Sequence, residues 1–185
     1  MKKCLFFSII SVFFVCILNI AAVHAAGPVD ACNVFTKADA ESLFNEKVTS
    51  QKAQKVSAPA GNMCTYSFKV KGSTYSVKLK ISTSEEIKAE GIFVSARDVF
   101  DRQKKARMSS ADMAKKMRNI PALGDEAFWS GFDLWIVKAN YLLFILAHPY
   151  LPGSFANSEA MEKAREQQDL NYSQKMALTI LSKMK

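Results

Sequence analysis

The sequence predicts an α+β fold: a single domain in which an antiparallel sheet of about five strands packs against three helical segments. Residues 66–81 alternate apolar and polar side chains on both sides of a Gly72-Ser73 turn signal, as in a β-hairpin with one buried face. Apolar stretches separated by turn residues follow at 127–148, and apolar stripes with helical spacing lie towards both ends of the chain. These three observations together predict the fold class.

The first 25 residues have the parts of a secretory signal peptide. Two lysines precede an apolar run at 5–22, and the small residues of Val23-His24-Ala25 suit cleavage after Ala25. A retained membrane anchor is the alternative, because 18 mostly apolar residues could just span a bilayer. The cleavage pattern and the Gly27-Pro28 pair that follows favour removal. We therefore expect a periplasmic or secreted domain of residues 26–185, without a stable transmembrane span.

Two cysteines, Cys32 and Cys64, follow the predicted cleavage site. An even number of cysteines in an exported chain predicts a disulfide, since the compartments outside the cytoplasm are oxidising. The closed loop would span 33 residues counting both ends, and such a loop stabilises a fold by roughly 3–4 kcal/mol in the chain-entropy model. The chain has no CxxC redox motif beyond the signal, and two cysteines alone rarely hold a metal, so we predict a structural bridge.

The first helical segment is predicted at residues 36–46. Thr36 suits the N-cap position and Asp39 adds an acid to the first turn, after which apolar residues recur at helical spacing. Cys32 lies just before this helix, so the disulfide would join its start to the start of the hairpin. The polar residues 49–62 lack periodicity, and we expect a connector there.

The hairpin has an apolar face and a lysine face. The predicted core face consists of Tyr66, Phe68, Val70, Tyr75, Val77 and Leu79. A Gly72-Ser73 loop of type II′ pairs Val70 with Tyr75, whereas a Lys71-Gly72 loop of type I′ pairs Phe68 with Tyr75. Both keep apolar residues opposite each other, so the register stays open.

The outer face of the hairpin carries a row of four lysines: Lys69, Lys71, Lys78 and Lys80. The row is a candidate contact for an acidic partner. Lysines that guard a sheet edge against pairing with other chains would look the same. The sequence favours this second interpretation, a solvated face.

A second helical segment is predicted at residues 84–118. It begins with overlapping capping-box patterns at 82–86 and weakens near Gly91. Residues 101–118 carry a net charge of +5, and their stripe of Met113, Met117 and Ile120 ends at Pro121. A basic amphipathic helix that binds an anionic surface or an acidic partner through Lys104 and Lys105 is one interpretation. A core edge surrounded by solvated lysines is the more common one.

The remaining elements are three strands and a C-terminal helix. Strands are predicted at 127–130, 134–138 and 141–148, with turns between them. The last of these, YLLFILA, has no alternation and should lie centrally or be covered on both faces. A helix at 158–184 should pack across the sheet through an apolar stripe of Ser173, Ala177, Ile180, Leu181 and Met184.

Few residues suit catalysis. His148 is the only histidine after the predicted cleavage site, and neither a nucleophile elbow nor a Gly-rich phosphate loop is present. Asp125 and Glu126 lie near Trp129 and other aromatic residues, an environment that can bind or cleave sugars. Adjacent strand residues, however, point to opposite faces. We expect a turn-plus-core role for this segment, a strand-end role for His148, no metal site and no cofactor.

Several short segments occur in an order that resembles a group of small exported bacterial proteins of unknown function. They are CNVFTKADAESLF, CTYSF, PALGDEAFW, WIVKANYLLFILA and MALTILSKM. The shared pattern is a Cys before a Thr-capped helix, a second Cys-x-Tyr, and a Gly-Asp-Glu-Ala-aromatic turn. The resemblance covers most of residues 26–185 in scattered pieces. It implies the α+β layout and the disulfide, and no activity.

The expected function is therefore not enzymatic. Residues 26–185 have a net charge of +6, which favours anionic partners but is also ordinary for a small soluble domain. We expect a factor that binds another envelope or secreted protein, such as an inhibitor, an immunity-type factor or an assembly accessory. An anionic surface is a further possible partner, and nucleic acid is not expected. The alternatives are a carrier or sensor of an apolar or anionic ligand, and a cell-wall or glycan-acting protein that uses Asp125 or Glu126.

Overall fold

A computed structural model describes residues 28–184, so the predicted signal peptide at 1–25 lies outside the described residues. The strands form one antiparallel sheet of seven, in the order β1-β2-β3-β7-β6-β5-β4. They are β1 (Val48–Val56), β2 (Gly61–Val70), β3 (Ser73–Thr83), β4 (Arg118–Asn119), β5 (Glu126–Trp129), β6 (Leu134–Lys138) and β7 (Tyr141–Ala147). The helices are α1 (Ala31–Val34), α2 (Lys37–Phe44), α3 (Ser84–Glu90), α4 (Ala96–Met108), α5 (Ala111–Lys116) and α6 (Ser158–Lys183). The predicted α+β class is confirmed.

The predicted number of strands is wrong, because both edge strands were missed. β1 occupies part of the segment predicted as a connector, and β4 lies at the end of the predicted second helical segment. From Thr49 to Ala53 every residue of β1 is exposed, so neither face of the strand shows an apolar alternation. β4 has only two residues, both exposed. Edge strands of this kind leave no burial pattern in a sequence.

The disulfide joins Cys32 in α1 to Cys64 in β2, as predicted. The next helix begins with the expected cap: the Thr36 hydroxyl accepts from the Asp39 backbone N–H, and the Asp39 carboxylate accepts from the Thr36 backbone N–H. This reciprocal pair satisfies two backbone donors that a helix start leaves free. The N-terminal helices are thereby fastened to the buried face of β2.

The hairpin uses the type I′ register. Phe68 pairs with Tyr75 and Val70 with Ser73, so the loop is Lys71-Gly72. Both loop residues have positive φ, 47° and 82°, as a type I′ turn requires. This choice puts Tyr66, Phe68, Val77 and Leu79 on the buried face, where each is fully buried.

The second helical segment is three helices rather than one. α3 starts at the Thr83–Glu86 capping box and ends at Gly91, which has a φ of 83°. α4 ends before Ser109, and α5 has no buried residue. The predicted stripe of Met113, Met117 and Ile120 is therefore not helical, because α5 stops at Lys116 and the chain turns into β4.

The core has two layers, one on each face of the sheet. α1, α2 and α6 cover the first face across all strands from β2 to β6. α3 and α4 cover the second face only over β5, β6 and β7, through a cluster around Phe100, Phe128 and Trp135. β7 is central and contributes to both layers, as its sequence predicted. Beyond it, α3 reaches only the β1–β2 turn, where Glu90 accepts from the Ala58 and Ala60 backbone N–H groups and Glu86 accepts from the Asn62 side chain. The rest of the second face over β1–β3 carries no helix of the described chain.

Candidate functional site

The uncovered half of the second face is the main candidate surface. The register aligns Lys52, Thr65 and Lys78 across β1, β2 and β3 in one row. Lys69 and Thr74 form a pair nearer the hairpin turn, and Ser50, Ser67 and Ser76 form the row between. Their side chains alternate with the buried ones, so they point away from the first core layer. We call this surface, centred on Lys52, Thr65, Lys69 and Lys78, the open lysine face.

The charge of the chain is concentrated on these three strands. Residues 48–83 contain six lysines and no Asp or Glu, and so account for a charge of +6. The rest of residues 26–185 carries equal numbers of basic and acidic side chains. Glu86 and Glu90 of α3 contact the β1–β2 turn end of these strands, and Glu90 acts on Lys80. Away from that end the field is positive, and such a field attracts acidic molecules and raises their association rate.

Two lysines of the predicted row have partners within the chain. The Lys80 Nζ donates to the Pro59 carbonyl, and burial lowers the pKa of Lys80, against the opposing effect of Glu90. The Lys71 Nζ lies 5.7 Å from the centre of the Tyr150 ring. Lys69 is exposed and Lys78 is half-buried. Lys80 is therefore less available to a partner than Lys69 and Lys78. Lys52 of β1, which the sequence analysis did not single out, extends the row of available lysines across the sheet.

Lys104 and Lys105 lie on α4, away from the open lysine face. The Lys104 Nζ is 2.7 Å from Glu126 Oε1, and the Arg97 guanidinium is 2.6 Å from Glu126 Oε2. The hydrogen bond from Lys104, helped by Arg97, lowers the pKa of Glu126 against a smaller effect of burial. Lys105 is exposed. Lys104 is therefore committed to an ion pair within the domain.

The predicted turn site is taken up by structural contacts. Asp125 Oδ2 accepts from the Ala139 backbone N–H at 2.7 Å, which ties the start of β5 to the β6–β7 turn. The side chain of Glu126 binds to α4 instead, and Trp129 is fully buried on the first face. The structure does not bring these three side chains to one place.

A second candidate, missed by the sequence, lies at His148. Its Nδ1 is 2.5 Å from Asp169 Oδ2 of α6, and its ring centre is 4.5 Å from that of Phe132. Sequence separation hid this pair, since Asp169 lies in the part of α6 predicted to be charged and solvated. The one hint in the sequence to this contact was the prediction that the C-terminal helix packs across the sheet, which brings it near the end of β7.

A buried polar network flanks this region. Asp133 Oδ1 accepts from the Ser130 hydroxyl at 2.6 Å and from the Trp135 indole N–H at 2.7 Å. The guanidinium of Arg107 lies 3.4 Å from Asp133 Oδ2 and packs over the Trp135 ring at 5.0 Å. These contacts fix the β5–β6 turn, and with it the position of Phe132.

Residues 28–184 contain no group of three or more His, Cys, Asp or Glu side chains placed to hold a metal ion. None of the helices in this range combines the length and apolarity that a membrane crossing requires.

Models of known protein families, curated proteins and solved structures were all compared with this chain, and none matches it. The resemblance to small exported bacterial proteins therefore stays a prediction.

Proposed function

We propose that the protein is a non-catalytic, exported factor that binds an acidic protein surface through the open lysine face. The observation that carries the proposal is the segregation of charge: strands β1–β3 hold lysines without a single acid, on a sheet face that the described helices leave open except at the β1–β2 turn. A surface of this kind combines a rigid backbone with cations and hydroxyl donors that suit carboxylates.

The side chains of the open lysine face favour a protein over nucleic acid. Proteins that bind single-stranded nucleic acid on a sheet stack the bases on aromatic side chains. The aromatic residues of β2 and β3, namely Tyr66, Phe68 and Tyr75, pack on the opposite face. On β2 and β3 the open face offers Lys, Ser, Thr and Met63, and on β1 it adds Gln54 and Val56. It therefore lacks aromatic side chains for stacking and the large apolar side chains that a membrane surface would need.

The size of the face sets the expected strength of binding. Three strands spaced about 4.8 Å apart, with some nine residues each, present a patch of roughly 14 by 30 Å. This is small for a specific protein interface, so the complex should be of micromolar affinity, fast to form and weakened by salt. Among the three candidate roles, such properties fit an assembly accessory best, because inhibitors and immunity-type factors form some of the tightest protein complexes.

Export is part of the proposal. The Cys32–Cys64 disulfide supports an oxidising compartment, periplasmic or secreted, because such bridges persist there. The glycan-acting alternative is not carried forward, since Asp125 and Glu126 are each bound to a different part of the domain.

Two charge-reversal variants of the full chain test the proposal. The open-face variant changes Lys52, Lys69 and Lys78 to Glu. The control variant changes Lys37, Lys115 and Lys175, three exposed lysines of α2, α5 and α6, to Glu. The two variants have the same net charge, so a difference between them reports position. A photo-crosslinking residue replaces Thr65 in the wild type and in both variants, and adducts formed in envelope extract are compared at low and physiological salt.

A crosslinked protein that is lost in the open-face variant, kept in the control variant and weakened by salt supports the proposal. If the open-face variant keeps the adduct, if both variants lose it, or if no adduct forms, the proposal is wrong. Should the open-face variant fail to fold, the same three positions changed to Gln remove the charge with less disturbance.

A further inference from the structure

Strand β1 forms a free edge of the sheet. It pairs with β2 on one side and with no other strand of the described chain on the other. It is nine residues long and contains no proline, whereas β4 at the opposite edge has only two residues. An exposed edge of this length presents unpaired backbone groups with which another extended segment can pair.

The hairpin register shows which backbone groups of β1 point outwards. The two-residue loop is closed by a hydrogen-bonded pair, Val70 with Ser73, and such pairs alternate along an antiparallel ladder. Thr65 therefore directs its backbone groups away from β3 and towards β1, where it lies opposite Lys52. Lys52 in turn bonds to β2, and its neighbours face the other way. The residues whose backbone N–H and C=O point away from the sheet are Gln51, Ala53 and Lys55.

The first residue of β1 confirms this alternation. Val48 lies opposite Phe68, which pairs with β3, so the Val48 N–H must point outwards. This N–H donates to Glu41 Oε1 of α2 at 3.0 Å. Among the described residues, the outward groups of the three later positions have no such partner. The chain thus satisfies its outer edge at one end, with a carboxylate, and leaves the rest of that edge to solvent.

Of the features that usually prevent pairing at an edge, β1 has mainly its lysines. Edges are also protected by proline, short length or bulges, and the one irregularity of β1 lies at its start, between Val48 and Ser50. A lysine such as Lys52 disfavours a basic strand beside it and favours an acidic one. A second copy of this chain is disfavoured for the same reason, because it would bring two sheets with six lysines each edge to edge.

The two faces of an added strand would meet different charges. On the open lysine face its side chains would extend the row to which Lys52 belongs, about one strand spacing further out. On the first face Lys55 is accompanied by two acids. Asp30 lines a cavity of about 340 Å³ together with Ala53 and Lys55, and Glu41 lies at the Val48 end. Only the open lysine face therefore has cations without acids beside them.

We propose that the acidic partner binds by strand addition: an extended segment with acidic residues at every second position pairs with the outer edge of β1 and places its carboxylates on the open lysine face. The inference rests on the proposed function and deepens it, because it names the form in which the partner presents its acids. Backbone hydrogen bonds to Gln51, Ala53 and Lys55 then add to the attraction between charges, and alternate side chains give specificity.

The capped peptide acetyl-SETETES-amide is the probe, and backbone amide hydrogen exchange of the protein, followed by NMR, is the measurement. In the free protein the N–H groups of Lys52 and Gln54 should exchange slowly, because they bond to β2, and those of Gln51, Ala53 and Lys55 should exchange fast. Saturating peptide should slow the exchange of the last three by about tenfold or more. Unchanged exchange at these three positions, with or without binding of the peptide elsewhere, overturns strand addition.

Two further peptides test the charge and its spacing. Acetyl-STEEETS-amide has the same composition, but neighbouring residues of a strand point to opposite faces, so it cannot place all three acids on one face. It should bind more weakly than the alternating peptide, and acetyl-SKTKTKS-amide should give no protection. Equal protection by either peptide contradicts the proposal. Protection that appears without peptide as the protein concentration rises would identify a second copy as the occupant and would also overturn it.

A proline variant separates strand addition from the proposed function. Ala53→Pro removes one outward donor and keeps every charge and every bond to β2, and proline is tolerated on the free side of an edge strand. The matched control Ala111→Pro places proline at the first residue of α5, where it is also tolerated. Both variants carry the photo-crosslinking residue in place of Thr65 and are compared with the open-face variant in envelope extract.

Loss of the adduct in Ala53→Pro and in the open-face variant, but not in Ala111→Pro, supports strand addition. An adduct that persists in Ala53→Pro and is lost in the open-face variant refutes strand addition and leaves the proposed function standing. An adduct that persists in both refutes the proposed function as well. Loss in both proline variants contradicts strand addition. If Ala53→Pro does not fold, the exchange measurement on the wild type decides.

Discussion

At the scale of single residues, Glu126 shows how partners define the role of a charge. Its two carboxylate oxygens are bound by Lys104 and Arg97 of α4 at 2.7 and 2.6 Å. The carboxylate therefore fastens α4 to the start of β5. The carboxylate is ionised, and each of its two oxygens already has a cationic partner. This arrangement suits a structural link better than proton transfer.

The Glu126→Gln variant should lose stability in a pH-dependent way. The folded pKa of Glu126 is below its ordinary value of 4.5, so its stabilising effect is present above that pH and disappears as the pH falls through the folded pKa. We expect a loss of about 0.5–1 kcal/mol at pH 7, since the group is partly exposed. Once the pH falls below the folded pKa of Glu126, the difference from wild type should shrink. Urea unfolding at both pH values measures it.

A double-mutant cycle with Lys104→Gln provides the control. The coupling energy between the two positions should be favourable at pH 7 and fall at acid pH. A coupling energy near zero at neutral pH would show that the ion pair contributes nothing to the attachment of α4.

At the scale of elements, the turns differ in what they require of their glycines. Gly72 and Gly124 both have positive φ, 82° and 65°. A Cβ at Gly72 would meet nothing within 4 Å, whereas one at Gly124 would lie 2.6 Å from the Val137 carbonyl oxygen and 2.7 Å from Ile136 Cγ2. In the hairpin turn, glycine is needed only for its positive φ. In the turn before β5, the absence of a Cβ is needed as well, because this turn packs directly on β6.

Gly124→Ala should therefore destabilise the protein more than Gly72→Ala. The positive φ alone costs about 1 kcal/mol in each variant, and the clash with β6 adds some 1–3 kcal/mol at Gly124. Chemical denaturation of the two variants under the same conditions checks the order. Equal losses would mean that the start of β5 can move away from β6 without penalty.

At the scale of the whole molecule, both ends of the described chain are fastened to the layer of helices and strands on the first face of the sheet. The disulfide joins α1 to β2, and the Lys183 Nζ of α6 lies 2.5 Å from Asp39 Oδ2 of α2. The stacked rings of Phe44 and Tyr172 join the same two helices. The helical layer behind β1–β3 is thus held by both termini, and the open lysine face on the other side depends on it for support.

Replacing both Cys32 and Cys64 by Ala should lower the free energy of unfolding by roughly 3–4 kcal/mol, because the closed loop no longer limits the unfolded chain. Urea unfolding of the variant measures the loss. Wild type unfolded with and without a reductant is the control, since it breaks the bridge without removing the buried sulfur atoms. A loss below about 1 kcal/mol would contradict a structural role for the bridge.

The sequence alone determined the features that depend on near neighbours in the chain. The Thr36 cap, the alternating faces of β2 and β3, and the apolar stripe of α6 follow from spacings of two to four residues. A capping box at 82–86 was predicted too, but only the structure chose Thr83 over Ser82. The pairing of Cys32 with Cys64 could be predicted as well, because only two cysteines follow the predicted signal peptide.

Tertiary structure alone decided the features that depend on contacts between distant segments. β1 is a strand because β2 supplies its hydrogen bonds, and its exposed side chains leave no periodic signal. His148 contacts Asp169 only because α6 crosses the end of β7. The negative charge of Glu126 is paired with Arg97 and Lys104 only because α4 lies over β5. Interactions between near neighbours in the chain determine the helices and strands. The candidate sites form where side chains from separate elements come together, and no local sequence pattern records those contacts.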